Sequence, residues 1–269
     1  MRFFAARRAR AIAITSLVAI FIIVLVSAWE TALHPTTYLT GWMLLVTVVF
    51  LSLYNARKKL TYPPLFKASS WMQVHIYAGY LAVVIFFLHT NAQVPNGSFE
   101  IILYLIFVLI AFSGVFGLYL QRTLPARLAH NDQEVIFERI PQFIKQFREQ
   151  AQSLVIKAVA NEDSSILEQF YYRNMRHFMA APRNFWTHIF KTSRDQNAMQ
   201  KKLQSEYRYM NANEIEIAEQ LVLIIEQKHD LDFHYALQKV LKLWLFVHIP
   251  LTFSLLALLV VHLILVYAF

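Results

Sequence analysis

The chain has 269 residues, 57% of them hydrophobic and only 16% charged, which is too apolar for an ordinary soluble domain. Its formal charge of +8 and pI of about 9.6 would suit nucleic-acid binding only if the basic residues lay together on one surface. The sequence contains no cysteine, which excludes disulfides, thiolate metal sites, iron-sulfur clusters and covalent c-type haem.

Five apolar segments are each long enough to cross about 30 Å of hydrocarbon as a helix. In chain order they are residues 11–29, 38–54, 71–91, 99–120 and 243–269. Basic residues precede the first segment and connect the second to the third: Arg2, Arg7, Arg8 and Arg10, then Arg57, Lys58, Lys59 and Lys67. The connections after the first and third segments contain no Lys or Arg. The positive-inside rule therefore predicts a cytoplasmic N-terminus and a C-terminus outside.

The first segment begins with basic residues, as a secretory signal peptide does, but it is longer than a typical signal-peptide core. We predict that it is retained as a membrane helix. The basic residues then reflect topology, so no nucleic-acid partner is expected. The expected location is the bacterial cytoplasmic membrane, in contact with lipid.

The segment between the fourth and fifth apolar stretches differs sharply in composition. Residues 121–242 contain 17 Lys or Arg and 15 Asp or Glu, and no glycine. Without glycine, a phosphate-binding or dinucleotide-binding turn is not expected. We predict an all-α integral membrane bundle of five transmembrane helices with a cytoplasmic helical insert, divided as residues 1–120, 121–242 and 243–269.

Helical periodicity and capping patterns divide the insert further. An amphipathic first helix is predicted from the spacing of Ile136, Ile140, Phe143, Phe147, Ala151, Leu154 and Ala158. Ser165 and Glu168 form a possible capping box for a second helix, and a third is predicted to start near Asn213. Asp232 is a candidate N-cap for a helix that continues into the fifth apolar segment.

The third and fifth apolar segments share one pattern of aromatic and histidine residues. They read WMQVHIYAGYLAVVIFFLH and WLFVHIPLTFSLLALLVVH, so each contains W-x3-H-x13-H. Fourteen residues make close to four helical turns, which leaves both histidines of a segment within about 40° of one face and roughly 21 Å apart.

The two segments are predicted to run in the same direction, so histidines at equal offsets lie at equal depths. His75 then faces His248 (the first pair), and His89 faces His262 (the second pair). Each pair can supply both axial nitrogens of one haem iron. A zinc or copper ion cannot bridge ligands about 21 Å apart on one helix. The alternative is that the histidines only bond neighbouring helices or line a polar path.

The paired H-x13-H helices resemble the di-haem transmembrane cytochrome b superfamily, which includes quinol-oxidising cytochromes b and ferric-reductase-like membrane domains. The resemblance covers the third to fifth segments and implies that His75, His248, His89 and His262 ligate two haems b. The long insert departs from the family pattern. Gly79, one turn after His75 on the same face, would let a flat ring approach the backbone, or would serve ordinary close helix packing.

The expected function is that of an electron-transfer subunit of an oxidoreductase complex. Electrons would pass between membrane quinone or quinol and an outer redox partner, such as a multihaem cytochrome. One alternative is a transmembrane reductase fed by a separate cytoplasmic flavoprotein that docks on the insert. Another is a haem-free membrane scaffold or transporter.

The remaining histidines carry weaker predictions. Five lie in the insert and are expected at its solvated surface: His130, His177, His188, His229 and His234. Asp230, Asp232 and His234 could instead ligate a metal. His34, four residues after Glu30, could accept a proton from a quinol, but capping of the loop is the simpler interpretation.

Overall fold

A computed structural model describes residues 2–54, 68–128, 135–162, 165–183, 185–190 and 198–268 of the chain. Every regular element within those ranges is a helix. The predicted all-α class is therefore confirmed. The basic connection that contains Arg57, Lys58, Lys59 and Lys67 lies outside the described residues, as does His130.

Each of the five apolar segments is helical. The corresponding helices are α1 (Arg2–Thr31), α2 (Thr36–Ser52), α3 (Ala68–His89), α4 (Ser98–Leu128) and α10 (Ala212–Ala268). Among the described residues, four helices contain stretches long and apolar enough to cross a membrane: Ala6–Thr31, Ser69–His89, Ser98–Pro125 and Ala212–Ala268. Helix α2 is apolar too, but it has only 17 residues. Several helices could thus span a membrane, while the number of five stays a prediction.

The chain divides into two compact units. Unit 1 consists of Met1–Tyr119 and Trp244–Phe269, and unit 2 consists of Leu120–Leu243. The core of unit 1 draws side chains from all five long helices: Ile22, Val26, Leu44, Val48, Ala82, Ile85, Phe86, Phe107 and Leu255. At its centre the rings of Phe86 and Phe107 stack with their centroids 4.0 Å apart. This core packs α3 and α10 into one bundle with α2 and α4.

Helix α3 ends directly after its second histidine. Asn91 and Ala92 adopt positive φ angles of 50° and 53°, and the Ala92 N–H donates to the carbonyl of Phe87. Left-handed residues at this position close the end of a helix by bonding its last free carbonyls. The closure places His89 in the last turn of α3.

Unit 2 contains the shorter helices. They are α5 (Ile140–Glu162), α6 (Ser165–Phe170), α7 (Arg176–Phe178), α8 (Phe185–Phe190) and α9 (Ala198–Glu206), followed by the start of α10. A π-helical turn, Tyr171–Met175, connects α6 to α7, and 3₁₀ turns cover Phe137–Arg139 and Tyr207–Tyr209. The core of unit 2 gathers apolar side chains of α5, α6, α7, α9 and α10.

The predicted amphipathic stripe of the insert is largely present in α5. Ile140, Ala151 and Ala158 are fully or almost fully buried, and their spacings of 11 and 7 residues place them on one helix face. Ile136 is different, because it precedes the 3₁₀ turn in extended backbone and is 57% exposed. The helix therefore starts one turn later than the periodicity predicted.

The helix predicted to start near Asn213 is present. Asn211 and Glu214 form a reciprocal capping box, in which each backbone N–H donates to the other residue's side-chain oxygen, at 2.9 and 2.8 Å. Helix α10 starts at Ala212 and continues without a break through Asp232. The prediction that Asp232 caps a new helix is therefore wrong.

Asp232 instead belongs to a buried ion pair. Lys228 Nζ lies 2.7 and 2.6 Å from the two carboxylate oxygens of Asp232, and both residues are at most 1% exposed. The ammonium also donates to the carbonyl of Ala181, at 3.1 Å, and lies over the ring of Phe178. Bonds to both charged groups offset part of the large cost of removing them from water.

We expect Asp232→Asn to destabilise unit 2 by about 3–5 kcal/mol, because it leaves a buried ammonium without its counter-ion. Urea unfolding of the full chain in detergent, followed by far-ultraviolet circular dichroism, measures the change. The double variant Lys228→Met/Asp232→Leu should recover most of the loss. Lys145→Ala is the matched control, because its i,i+4 pair with Glu149 is exposed and contributes little. Equal stability of Asp232→Asn and Lys145→Ala would contradict the role of the buried pair.

Candidate functional site

The four predicted ligand histidines all lie in unit 1, two on α3 and two on α10. His75 is near His248, and His89 is near His262, with which it lines one cavity. Each histidine of α3 is therefore close to the histidine at the same offset on α10. Whether either pair binds an iron stays a prediction.

The second pair lines a cavity of about 500 Å³. Most of its walls are apolar and come from α2, α3, α4 and α10, with Leu44, Val48, Phe86, Leu103, Phe107, Leu255, Leu259 and Leu263 among them. Gln93, Asn96 and Glu100 add polar groups, and Tyr38, Trp42 and Tyr267 add aromatic ones. A concave, mostly apolar space with a few polar groups is typical of a site for a cofactor or small ligand.

Residues of α2 contact the ring of His89 and fix its position. Its Nδ1 lies 3.1 Å from the hydroxyl of Thr40, a residue with no exposed surface. A Cβ at Gly41 would lie 3.1 Å from Cε1 of the ring, so the missing side chain permits the close approach. His262, across the cavity, stacks on Phe99 of α4 at 6.3 Å between ring centroids.

Residues of α4 fix the position of His248, of the first pair, in a similar way. Its Nδ1 lies 3.1 Å from the hydroxyl of Ser113, and its ring stacks on that of Trp244 at 5.3 Å. The indole N–H of Trp244 donates to the carbonyl of Ser113, at 2.9 Å. A Cβ at Gly117 would come within 1.9 Å of the indole ring. Ser113 and Gly117, one turn apart, thus form the surface on which Trp244 and His248 pack.

His75 has the least satisfied ring of the four. Its Nδ1 is buried, and no described residue offers that atom a hydrogen bond of good geometry. The ring packs against Tyr54 at 5.0 Å between centroids, and the carbonyl of Leu51 also faces it. A buried polar atom without a partner is costly. Binding of a ligand at this histidine would give the ring a further polar interaction.

Gly79 faces open space, as a flat cofactor beside His75 would require. A Cβ at this position would meet no atom within 4 Å in the part of the chain that the structure describes, and the same holds at Gly114. No described helix packs closely against Gly79, and its place in a cofactor site stays a prediction. Each pair offers the two imidazoles that a haem with two histidine ligands would require, and the haem itself stays a prediction.

The side chains that support the histidines come from helices that carry no ligand. Thr40 and Tyr54 belong to α2 or its end, and Ser113 belongs to α4. The sequence analysis did not assign any of them to the site. A single hydroxyl residue inside an apolar helix was the available sign, but such residues also bond their own helix backbone, as Thr40 does with the carbonyl of Thr36.

The histidines of unit 2 divide into exposed and buried ones. His177 is exposed, as predicted, and His229 is partly buried. The prediction is wrong for His188 and His234, which are each 3% exposed. Both rings pack beside Phe233, an apolar side chain that helps to shield them from water.

His188 lies in a strongly cationic environment. Its ring contacts that of His229 at 4.8 Å, and Arg127 donates to the carbonyls of His188 and Ile189. Burial above all, together with the charges of His229, Lys228 and Arg127, lowers the pKa of His188 to about 4. His188 is therefore neutral in the folded protein at pH 7.

The structure does not support the weaker predictions, a metal site at Asp230, Asp232 and His234 and a proton acceptor at His34. Among the described residues, no group of three or more His, Asp or Glu side chains could hold a metal ion. Asp232, one of the candidate metal ligands, binds Lys228 instead. The ring of His34 packs at a tilt against that of Trp29, with centroids 5.0 Å apart, and the His34 backbone N–H donates to the Trp29 carbonyl. Both contacts agree with a role in closing the end of α1.

No family model matches the chain, and comparisons with curated proteins and with solved structures find no similar protein. The case for a function therefore rests on the geometry of this chain.

Gly117→Ala is expected to destabilise unit 1 by about 1–3 kcal/mol, because the added methyl group would overlap the Trp244 ring. Displacement of the indole would also remove the support of His248. Thermal unfolding in detergent measures the change. Gly114→Ala is the matched control, since a Cβ there meets open space. Equal unfolding temperatures for Gly117→Ala and Gly114→Ala would contradict the close approach of Gly117 to the Trp244 ring.

Acid should destabilise unit 2 through His188. The unfolded chain takes up a proton near pH 6.5, whereas the folded chain resists protonation until about pH 4. The stability from neutral His188 is thus complete above pH 6.5 and decreases as the pH falls from 6.5 to 4. Between pH 7 and pH 5, wild type should lose about 2 kcal/mol more than His188→Phe in urea unfolding.

Burial also raises the pKa of Asp232, to about 6, but that carboxyl titrates in both proteins, so the difference between them isolates His188. Parallel stability curves for wild type and His188→Phe between pH 7 and pH 5 would contradict the buried, neutral state of this ring.

Proposed function

We propose that the chain is a di-haem b electron-transfer subunit of a membrane oxidoreductase complex. The observation that carries the proposal is the pairing of the histidines, His75 with His248 and His89 with His262. The two pairs are four helical turns apart on α3, which corresponds to roughly 21 Å along the helix axis. This spacing supports one redox centre near each side of a bilayer.

The chain's own residues would bind, orient and insulate the two centres. In each pair, one imidazole from α3 and one from α10 would ligate the iron. A haem b bound in this way supplies a metal that accepts and releases one electron. Apolar side chains such as Leu44, Phe86 and Leu255 would keep water out of the second site. The resemblance to di-haem cytochromes b comes from the same residues.

The proposed topology has five transmembrane helices, a cytoplasmic N-terminus and a cytoplasmic insert that includes most of unit 2. The location of the basic residues supports it. Helix α2 would be the shortest span, and a helix of 17 residues is at the lower end of the lengths that cross a bilayer.

The proposed donor or acceptor on the membrane side is a quinone. Exposed aromatic residues, Tyr38, Trp42 and Tyr267, border the cavity of the second pair. Amphipathic aromatic side chains are typical of the interface between membrane and water. A carrier dissolved in the bilayer could approach the second centre from there. The other redox partner would be an outer protein, such as a multihaem cytochrome.

Purified protein is expected to contain two haems b per chain, and each ligand substitution should remove one of them. His89→Ala should eliminate the second centre and keep the first, while His75→Ala should do the reverse. A pyridine haemochrome assay measures the content, and a redox titration shows which centre remains. His177→Ala is the control, because this histidine is exposed in unit 2.

Wild-type protein without haem would refute the proposal. So would a haem content that stays unchanged in all four ligand variants. Either result would favour a haem-free scaffold or transporter in which the histidines line a polar path. If haem is present, quinol-supported haem reduction in membranes distinguishes a quinone-linked subunit from a reductase that receives electrons from a flavoprotein.

A further inference from the structure

Two consecutive residues of α2 contact adjacent atoms of the His89 imidazole. The Thr40 hydroxyl lies 3.1 Å from Nδ1, and the bare Cα of Gly41 faces Cε1. A Cβ at Gly41 would be 3.1 Å from that carbon, so a larger residue would push the ring aside. Gly41 lines the cavity with His89, whereas Thr40 has no exposed surface and contacts the ring through its hydroxyl. The ring therefore has little freedom to shift toward α2.

The hydrogen bonds of Thr40 determine which nitrogen of His89 carries the proton. Thr40 Oγ1 lies 2.8 Å from the carbonyl of Thr36, one turn earlier, and this is shorter than its distance to His89. A carbonyl can only accept, so the single hydroxyl hydrogen is directed to Thr36. Toward His89 the same oxygen acts as an acceptor. The proton is then on Nδ1, and Nε2 carries the free lone pair.

We propose that Thr40, with Gly41 beside it, is a positioning residue that presents Nε2 of His89 as an iron ligand of the second centre. This inference rests on the proposed function and extends it to a helix that carries no ligand. Ligating histidines commonly donate their other N–H to an acceptor, which fixes the ring and makes the ligating nitrogen more basic. A more basic imidazole favours oxidised iron, so Thr40 would lower the midpoint potential of the second centre.

The influence of Thr40 on the midpoint potential is specific to the second centre. The first pair has its own hydroxyl contact, from Ser113 to His248, on a different helix. The carbonyl of Thr37 also interacts with the His89 ring. A substitution at Thr40 therefore removes only the side-chain acceptor, which we expect to weaken the orientation of the ring without releasing it.

A redox titration of both centres in purified full-length protein tests the proposal. Thr40→Val keeps the shape of the residue but has no hydroxyl, whereas Thr40→Ser keeps the hydroxyl. We expect Thr40→Val to raise the midpoint potential of the second centre alone, and Thr40→Ser to retain the wild-type value. The centre that His89→Ala eliminates identifies the second one.

Gly41→Ala provides a second test, because it displaces the ring without removing a hydrogen-bonding group. It should lower the haem content of the second centre or shift its potential, while Gly114→Ala should change neither. Selective ¹⁵N labelling of histidine gives a readout that does not depend on haem. The nuclear magnetic resonance signal of His89 should show a proton on Nδ1 in wild type and a mixture of tautomers in Thr40→Val.

Unchanged potentials in Thr40→Val with both haems retained would overturn the inference and leave the proposed function intact. Loss of haem in both Thr40 variants would also overturn it, since packing rather than the hydroxyl would then be responsible. A wild-type His89 protonated on Nε2 would overturn it directly. Absence of haem from wild type, in contrast, refutes the proposed function itself.

Discussion

An imidazole inside an apolar helix bundle needs partners for its two nitrogens, and unit 1 is organised around this constraint. An unpaired buried polar atom costs free energy. Helices α2 and α4 each provide one such partner. The hydroxyl of Thr40 contacts Nδ1 of His89, and the hydroxyl of Ser113 contacts Nδ1 of His248. In both cases the other nitrogen keeps the capacity to bind a ligand. The bundle therefore has the polar contacts of a ligand site, although its walls are largely apolar.

Unit 2 buries polar groups by a different physical route. Lys228 and Asp232 satisfy each other as an ion pair at the centre of this unit. His188 is close to Lys228, Arg127 and His229, so a proton on its ring would add one more positive charge to a buried cationic cluster. The ring avoids that cost by staying neutral. Pairing offsets the desolvation cost of the Lys228 and Asp232 charges, whereas a protonated His188 would bear that cost without a counter-ion.

Much of the helical arrangement could be predicted because it depends on features local to the chain. Uninterrupted apolar length predicts the long helices, and helical spacing predicts the buried face of α5. Predictions failed where a residue type has several uses. Asp232 resembles a helix cap in sequence, yet it lies inside α10 and binds Lys228. His188 and His234 resemble surface residues, yet neighbouring helices bury them. Their environments depend on residues far away in the chain, which no local pattern records.

The sequence by itself determined that the chain is helical, that it has apolar segments of membrane-spanning length, and that α3 and α10 carry histidines at the same spacing. These properties follow from hydropathy and from the fixed rise of a helix. Only the tertiary structure decided that His89 meets Thr40 and Gly41 and that His248 meets Ser113. It also decided that Nδ1 of His75 has no hydrogen-bond partner among the described residues. The physical reason is that a hydrogen bond requires two particular atoms within about 3 Å. Helix spacing places a residue on a face, whereas packing against other helices decides which atoms come within that distance.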